Sequence, residues 1–80
     1  MKKDLANKQI YDDFISKTIL TDNEKDVLFR YVRNDTIVKI ANDTKQGTTT
    51  ISRTIAALKE KYQKYKELEL IKLHILSGKK

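Results

Sequence analysis

The sequence predicts an all-α fold: a small four-to-five-helix bundle containing a helix-turn-helix, with a long recognition helix followed by a C-terminal helix. The 80 residues include no proline and only two glycines, so few positions force a helix to break. Apolar residues recur at spacings of three and four along much of the chain, which is the period of an amphipathic helix. A chain of this length is expected to form one domain, here residues 1–80.

Residues 1–19 are expected to form an N-terminal helix, with Leu5 and Phe14 among its apolar positions. A break follows at Thr21, because Thr-x-x-Glu with Glu24 is the pattern of a capping box. The next helix is predicted to run to about Arg33. Its apolar face is formed by Val27, Leu28, Tyr31 and Val32.

The middle of the chain predicts a short helix between two turns. Asn34 tolerates the left-handed conformation that ends many helices, and Thr36 or Asp35 can cap the next one. This short helix is expected over residues 37–43, and its inward positions are Ile37, Ile40 and Ala41. Residues 44–49 are polar and include Gly47, which indicates a turn.

A long helix is predicted over about residues 50–64, followed by a C-terminal helix over residues 66–76. The long helix carries a regular apolar stripe formed by Ile51, Ile55, Leu58, Tyr62 and Tyr65. Burial in the core is the preferred interpretation of the two tyrosines, and stacking on nucleic-acid bases is the alternative. The C-terminal helix has more apolar residues than a thin core can cover, which predicts a homodimer through Leu68, Ile71 and Ile75.

Positive charge is concentrated in one segment. The formal net charge is +6 and the pI is about 9.6. Residues 1–44 carry eight basic and eight acidic side chains, whereas residues 45–66 carry six basic side chains against Glu60 alone. Such a segment attracts polyanions, although a solvated surface is the simpler alternative.

The face of the long helix opposite its apolar stripe has the composition of a major-groove helix. Small side chains allow close approach, a hydroxyl and a guanidinium can reach base edges, and a flanking cation can meet phosphate. These residues are Ser52, Arg53, Ala56 and Lys59. At the start of the helix, Thr48, Thr49 and Thr50 offer hydroxyls and backbone N–H groups to phosphate.

Residues 20–62 resemble the LuxR-type (GerE-like) helix-turn-helix domain, here in stand-alone form. The residues that carry the resemblance are Leu20, Thr21, Glu24, Val27, Leu28, Ile40, Ala41, Thr50, Ile51, Leu58, Lys61 and Tyr62. The chain departs from the family pattern after the first helix, at Asn34, and before the recognition helix, where Thr44 and Gln46 replace Leu and Ile.

The resemblance implies a third helix that reads the major groove and a fourth that forms a two-fold dimer. It places the base-reading positions at Ser52, Arg53 and Ala56. Its positions that contact the DNA backbone include Thr50, Thr54 and Lys61.

We therefore expect a cytoplasmic transcriptional regulator that binds double-stranded DNA as a homodimer, with a regulatory protein as a further candidate partner. The alternative is a protein-interaction module that binds a regulator, a polymerase subunit or a nuclease without binding DNA. No enzymatic activity, cofactor or metal site is expected, because the chain has no cysteine and a single histidine. No membrane segment is expected either, since every apolar run is far shorter than the ~20 residues of a spanning helix.

Overall fold

Five helices and no strand make up residues 1–77, the part of the chain that the computed structural model describes, with side chains described through Glu69. The prediction of an all-α fold is confirmed. In chain order the helices are α1 (Lys2–Leu5), α2 (Lys8–Lys17), α3 (Asp22–Val32), α4 (Ile37–Thr44) and α5 (Thr48–Ser77).

The N-terminal region forms two helices instead of the single helix predicted for residues 1–19. The division lies at Asn7, whose side-chain oxygen accepts a hydrogen bond from the Gln9 N–H at 2.9 Å and caps α2. Asparagine is favoured at caps because its side chain competes for nearby backbone groups. The apolar spacing did not reveal this break.

Both ends of α3 follow the predicted turn chemistry. The Thr21 hydroxyl accepts the Glu24 N–H at 3.1 Å, and the Glu24 carboxylate accepts the Thr21 N–H at 2.9 Å, which completes the capping box. After the helix, Asn34 adopts a left-handed conformation with φ of 77°. This turn lets the Asp35 N–H reach the Arg30 carbonyl at 3.1 Å.

Helix α4 begins at a capped threonine and ends in a second left-handed residue. The Thr36 hydroxyl accepts the Lys39 N–H at 3.1 Å. At the other end Lys45 has φ of 57° and ψ of 39°, which directs the Gln46 N–H to the Ala41 carbonyl at 2.9 Å. The turn between α4 and α5 is therefore three residues long, Lys45 to Gly47.

Polar side chains, not apolar ones, hold the turn between α4 and α5 in place. The Gln46 side-chain amide donates to the Asn23 side chain at 2.8 Å, and the Thr44 hydroxyl donates to the Ile40 carbonyl at 2.7 Å. Arg30 of α3 bonds Asp43 of α4 at 3.3 Å, so α3 is tied to both α4 and the turn.

Helix α5 is one continuous element of 30 residues, about 45 Å long. The prediction of a recognition helix over about residues 50–64 and a separate C-terminal helix over residues 66–76 is therefore wrong. The sequence between these ranges contains no glycine or proline and is rich in Lys, Glu and Leu, which favour helix. The change in apolar pattern near residue 66 does not mark a break in the helix.

The core lies where α5 packs against the other helices. It confirms the predicted stripe of α5, because four of its five members are buried and Tyr65 packs against them. Ile40 and Ala41 are buried as predicted, whereas Ile37 is 38% exposed, so its predicted inward position is wrong. The buried residues are Leu5, Phe14, Leu20, Val27, Leu28, Ile40, Ala41, Ile51, Ile55, Leu58 and Tyr62.

An aromatic cluster fastens the N-terminal helices to α5. The Phe14 ring makes edge contacts with Tyr62 and Tyr65, at centroid distances of 5.3 and 5.4 Å. The Tyr62 hydroxyl donates to Asp4 at 2.8 Å, and the Tyr65 hydroxyl donates to Asp13. Burial raises the pKa of Tyr62 to about 12, and the Asp13 hydrogen bond raises that of Tyr65 to about 12. Both tyrosines therefore pack and hydrogen-bond within the fold, in agreement with the prediction that they belong to the core.

Substitution of Lys45 by glycine is expected to stabilise the protein by about 1 kcal/mol, because a left-handed conformation costs a residue with a Cβ about that much. Urea unfolding followed by circular dichroism measures the change. Lys59→Gly, which removes the same charge from the interior of α5, is the matched control and should destabilise by a similar amount. Destabilisation by both substitutions would contradict this view of the turn.

Candidate nucleic-acid interface

The burial of one side of α5 determines which residues its N-terminal half exposes. Ile51, Ile55 and Leu58 are buried against the bundle. At 100° per residue, Arg53 and Ala56 point away from the buried side and Ser52 lies on its flank, and all three are exposed. The residues that sequence reasoning assigned to base contact therefore lie together on one solvent-facing surface.

The first turn of α5 presents three exposed threonines, Thr48, Thr49 and Thr50. The first N–H groups of a helix have no intrahelical acceptor, and the helix dipole makes this end partly positive. In α5 the first backbone hydrogen bond is made by the Ile51 N–H, which donates to the Gly47 carbonyl at 3.1 Å. Thr54, one turn further on, is half-buried, and its hydroxyl donates to the Thr50 carbonyl at 2.9 Å. Its hydroxyl proton is thus already in use.

Four of the six cations in residues 45–66 are exposed and form no salt bridge within the described part of the chain. They are Lys45, Arg53, Lys59 and Lys64. Lys66 lies 3.7 Å from the Asp4 carboxylate. The excess charge seen in the sequence is therefore partly neutralised by the fold, and the remainder belongs to four side chains.

Lys61 differs from the other cations because the fold uses its ammonium group. Its Nζ donates to both Glu24 carboxylate oxygens, at 2.9 and 2.8 Å, and to the Ile19 carbonyl at 3.2 Å. An ammonium has three donors, so these contacts occupy all of them. Lys61 joins α5 to the start of α3, a role that the sequence did not indicate. Its predicted contact with the DNA backbone remains a prediction.

The same cluster alters the acidity of Glu24. The Lys61 hydrogen bonds and then the Thr21 N–H hold the pKa of Glu24 below its ordinary value of 4.5. The carboxylate is therefore ionised in the folded protein over a wider pH range than in the unfolded chain. Its charge is compensated within the fold.

Sequence reasoning counted Glu60 as a charge but missed its position. By the 100° rule Glu60 lies on the same outward face as Arg53 and Ala56, one turn beyond Ala56. It is exposed and forms no salt bridge with any described side chain. The positive surface at the start of α5 therefore meets a negative side chain after about three turns.

The residues predicted to form a dimer lie on the C-terminal half of α5. Leu68 is 64% exposed. Ile71 and Ile75 fall outside the range of described side chains.

Two other features concern the whole described region. Among its residues, no group of three His, Cys, Asp or Glu side chains could hold a metal ion. None of its helices combines the length and apolar character needed to span a membrane.

No protein-family model, curated protein or solved structure matches the chain.

Substitution of Glu24 by glutamine is expected to destabilise the protein by about 1–2 kcal/mol at pH 7, since it removes a charged partner of Lys61. It should also flatten the pH dependence of stability. A carboxylate whose pKa is lowered by folding stabilises the protein above its unfolded pKa, and this stabilisation is lost as the pH falls through the folded value.

Urea unfolding at a series of pH values between 7 and about 3 measures this difference. Asp22→Asn is the matched control, because Asp22 is an exposed carboxylate in the same helical turn and has no salt bridge with a described residue. An equal loss of stability on acidification in the Glu24 variant and the wild type would contradict the assignment.

Proposed function

We propose that the chain binds double-stranded DNA sequence-specifically as a small transcriptional regulator. In this proposal α4, the Lys45–Gly47 turn and the start of α5 act as a helix-turn-helix, and the first three turns of α5 enter the major groove. The observation that carries the proposal is the exposed Arg53, which has no ion-pair partner within residues 1–69 and lies between small side chains on the outward face of α5.

Three residues on that face can contact the edges of bases. The guanidinium fork of Arg53 can donate to O6 and N7 of one guanine, which is the commonest specific contact in the major groove. Ser52 can donate to or accept from a base edge. Ala56 lets the helix approach closely and offers a methyl group to thymine.

Residues at the borders of the same surface can contact phosphates. The threonine hydroxyls and N–H groups at the start of α5 suit one phosphate of the backbone. Lys45 in the turn and Lys59 at the end of the third turn of α5 are exposed and unpaired within the described residues, so they can neutralise phosphates on either side. Such contacts orient the helix without reading sequence.

Glu60 limits how far along α5 the DNA can extend. A carboxylate on the contact face repels phosphate, so the surface that favours DNA ends near Ala56 and Lys59. This length agrees with a helix that enters the groove by its N-terminal turns.

The resemblance to LuxR-type domains supports the same function and remains part of the proposal. The alternative of a protein-interaction module does not require an exposed cationic face at the start of α5. Loss of DNA binding on neutralising that face distinguishes the two.

Arg53→Ala is expected to lower the affinity for a selected operator by about 10- to 100-fold, because a bidentate arginine–guanine pair contributes about 1–3 kcal/mol of discrimination. The operator is first selected from a random duplex library, and binding is then measured by fluorescence anisotropy. Affinity for random duplex should fall much less than affinity for the operator.

Lys8→Ala is the matched control, because Lys8 is an exposed cation of α2 with no salt bridge in the described region. It should leave both affinities nearly unchanged. Equal losses on operator and random duplex for Arg53→Ala would show that Arg53 does not read bases.

Glu60→Gln is expected to raise the affinity for duplex DNA by about two- to threefold at low salt, since it removes a negative charge from the edge of the contact surface. Glu67→Gln makes the same change on the same helix two turns further on. That control should have little effect, and an equal gain from both substitutions would argue that only net charge matters.

A further inference from the structure

An open groove lies beside residues 61–69 of α5, away from the proposed DNA surface. It has a volume of about 720 Å³, and its apolar lining comes from Ile19 on one wall and from Tyr65 and Leu68 on the other. Ile19 is 93% exposed and Leu68 is 64% exposed, the two highest values among the large apolar side chains that the structure describes. Exposure of two such side chains in one groove indicates an interaction surface.

The neighbours of Ile19 hold its side chain outward. Leu20 occupies the core next to it, with 8% exposure, and Thr21 caps α3. The Ile19 carbonyl accepts a hydrogen bond from Lys61 at 3.2 Å. Because both flanking residues and its own carbonyl have defined contacts, Ile19 cannot turn into the core without disrupting them.

The shape of the groove suits a helix. The wall from α5 includes Lys61, Lys64, Tyr65 and Leu68, which are spaced as one stripe of a helix over two turns, about 10 Å. A second helix packs its side chains into such a stripe when it presents apolar residues at the same three- and four-residue spacing. A groove with two walls fits a rod-shaped partner better than the flat surface of a bilayer.

The charge of the groove favours an acidic partner. Glu69 is the one acidic residue of the lining, and Lys17 neutralises it at 2.9 Å. Lys64 is exposed and has no salt bridge with a described side chain, so the charge that remains free in the lining is positive. The whole chain has a formal net charge of +6, which attracts an acidic protein and repels a second copy of the same chain.

We propose that the groove binds an acidic amphipathic helix of another protein. The apolar residues of that helix pack between Ile19 and Leu68, and one of its carboxylates pairs with Lys64. This assigns a binding surface and a chemical character to a partner protein. It does not depend on DNA binding, because the residues of the proposed base contacts do not line the groove.

The test selects binders of the immobilised full chain from a phage-displayed library of helical peptides about 16 residues long, a length that supports an isolated helix. Selected peptides are then titrated by fluorescence anisotropy. Ile19→Ala and Leu68→Ala remove the apolar lining, and Val38→Ala is the matched control, because Val38 is 60% exposed on α4 and lies outside the groove. Lys64→Gln removes the free cation, and its control is Lys8→Gln, an exposed cation of α2 with no salt bridge to a described residue.

Selected peptides are expected to combine apolar residues at helical spacing with flanking Asp or Glu. Their dissociation constants should rise at least about tenfold for Ile19→Ala and Leu68→Ala. They should rise about two- to threefold at low salt for Lys64→Gln and stay unchanged for both controls. All five positions are exposed, so the substitutions leave the core intact, and circular dichroism checks that each variant folds.

Enrichment of no peptide, enrichment of peptides without acidic residues, or equal weakening by Val38→Ala would each overturn the proposal. Two further measurements test the other occupants of the groove. Sedimentation equilibrium of the wild type and Ile19→Ala detects a second copy, and flotation with phosphatidylglycerol vesicles detects a lipid surface. A wild-type dimer or vesicle binding that Ile19→Ala abolishes would also contradict the proposal.

Discussion

The packing of α5 against the other helices is the constraint on which the rest of the structure depends. The contact between Lys61 and Glu24 reinforces it. This contact joins three elements at one point, because Glu24 also completes the cap of α3 and Lys61 also holds the carbonyl of Ile19. The side chain of Glu24 is 13% exposed and that of Lys61 is 36% exposed, so the pair is better shielded than an ordinary surface salt bridge. Burial of Ile51, Ile55 and Leu58 sets the rotation of α5 against the bundle, and this rotation decides which face of α5 is free. The contact between Lys61 and Glu24 agrees with that rotation and ties α5 to α3.

The two halves of α5 therefore make different contacts. Near its start, α5 buries three aliphatic side chains and exposes Arg53, Ser52 and Ala56. Around residues 61–69 it contacts α1 and α2 through polar and aromatic groups, with Lys17 bound to Glu69 at 2.9 Å as the most C-terminal described contact. Two cations of the C-terminal half, Lys61 and Lys66, are paired with residues of the bundle, whereas Arg53 and Lys59 have no salt bridge with a described residue. An exposed surface and a stabilising surface thus lie on one helix without sharing residues.

Features of the fold that depend on residues close in sequence were predictable, whereas features that depend on contacts between distant residues were not. The capping box at Thr21, the left-handed Asn34 and the apolar stripe of α5 depend on residues close in sequence, and all were anticipated. The cap at Asn7 was missed because the apolar period continues across it. The continuity of α5 was missed because a change in hydrophobic pattern resembles a helix end. The partner of Lys61 lies 37 residues away, so no spacing rule could have identified it. In the candidate site the exposure of Ser52, Arg53 and Ala56 was predictable, whereas the contact of Lys61 with Glu24 and the outward position of Glu60 required the orientation of α5.

We propose that the unpaired cations around the start of α5 bind DNA phosphates. The most direct measurement is the affinity for a random-sequence duplex, obtained by fluorescence anisotropy across a salt series. If Lys45 and Lys59 each neutralise one phosphate, and Arg53 a third on random sequence, log K should fall with log salt at a slope of about −2 to −3. No binding at about 50 mM salt, or a slope near zero, would contradict the claim and leave these side chains as a solvated surface.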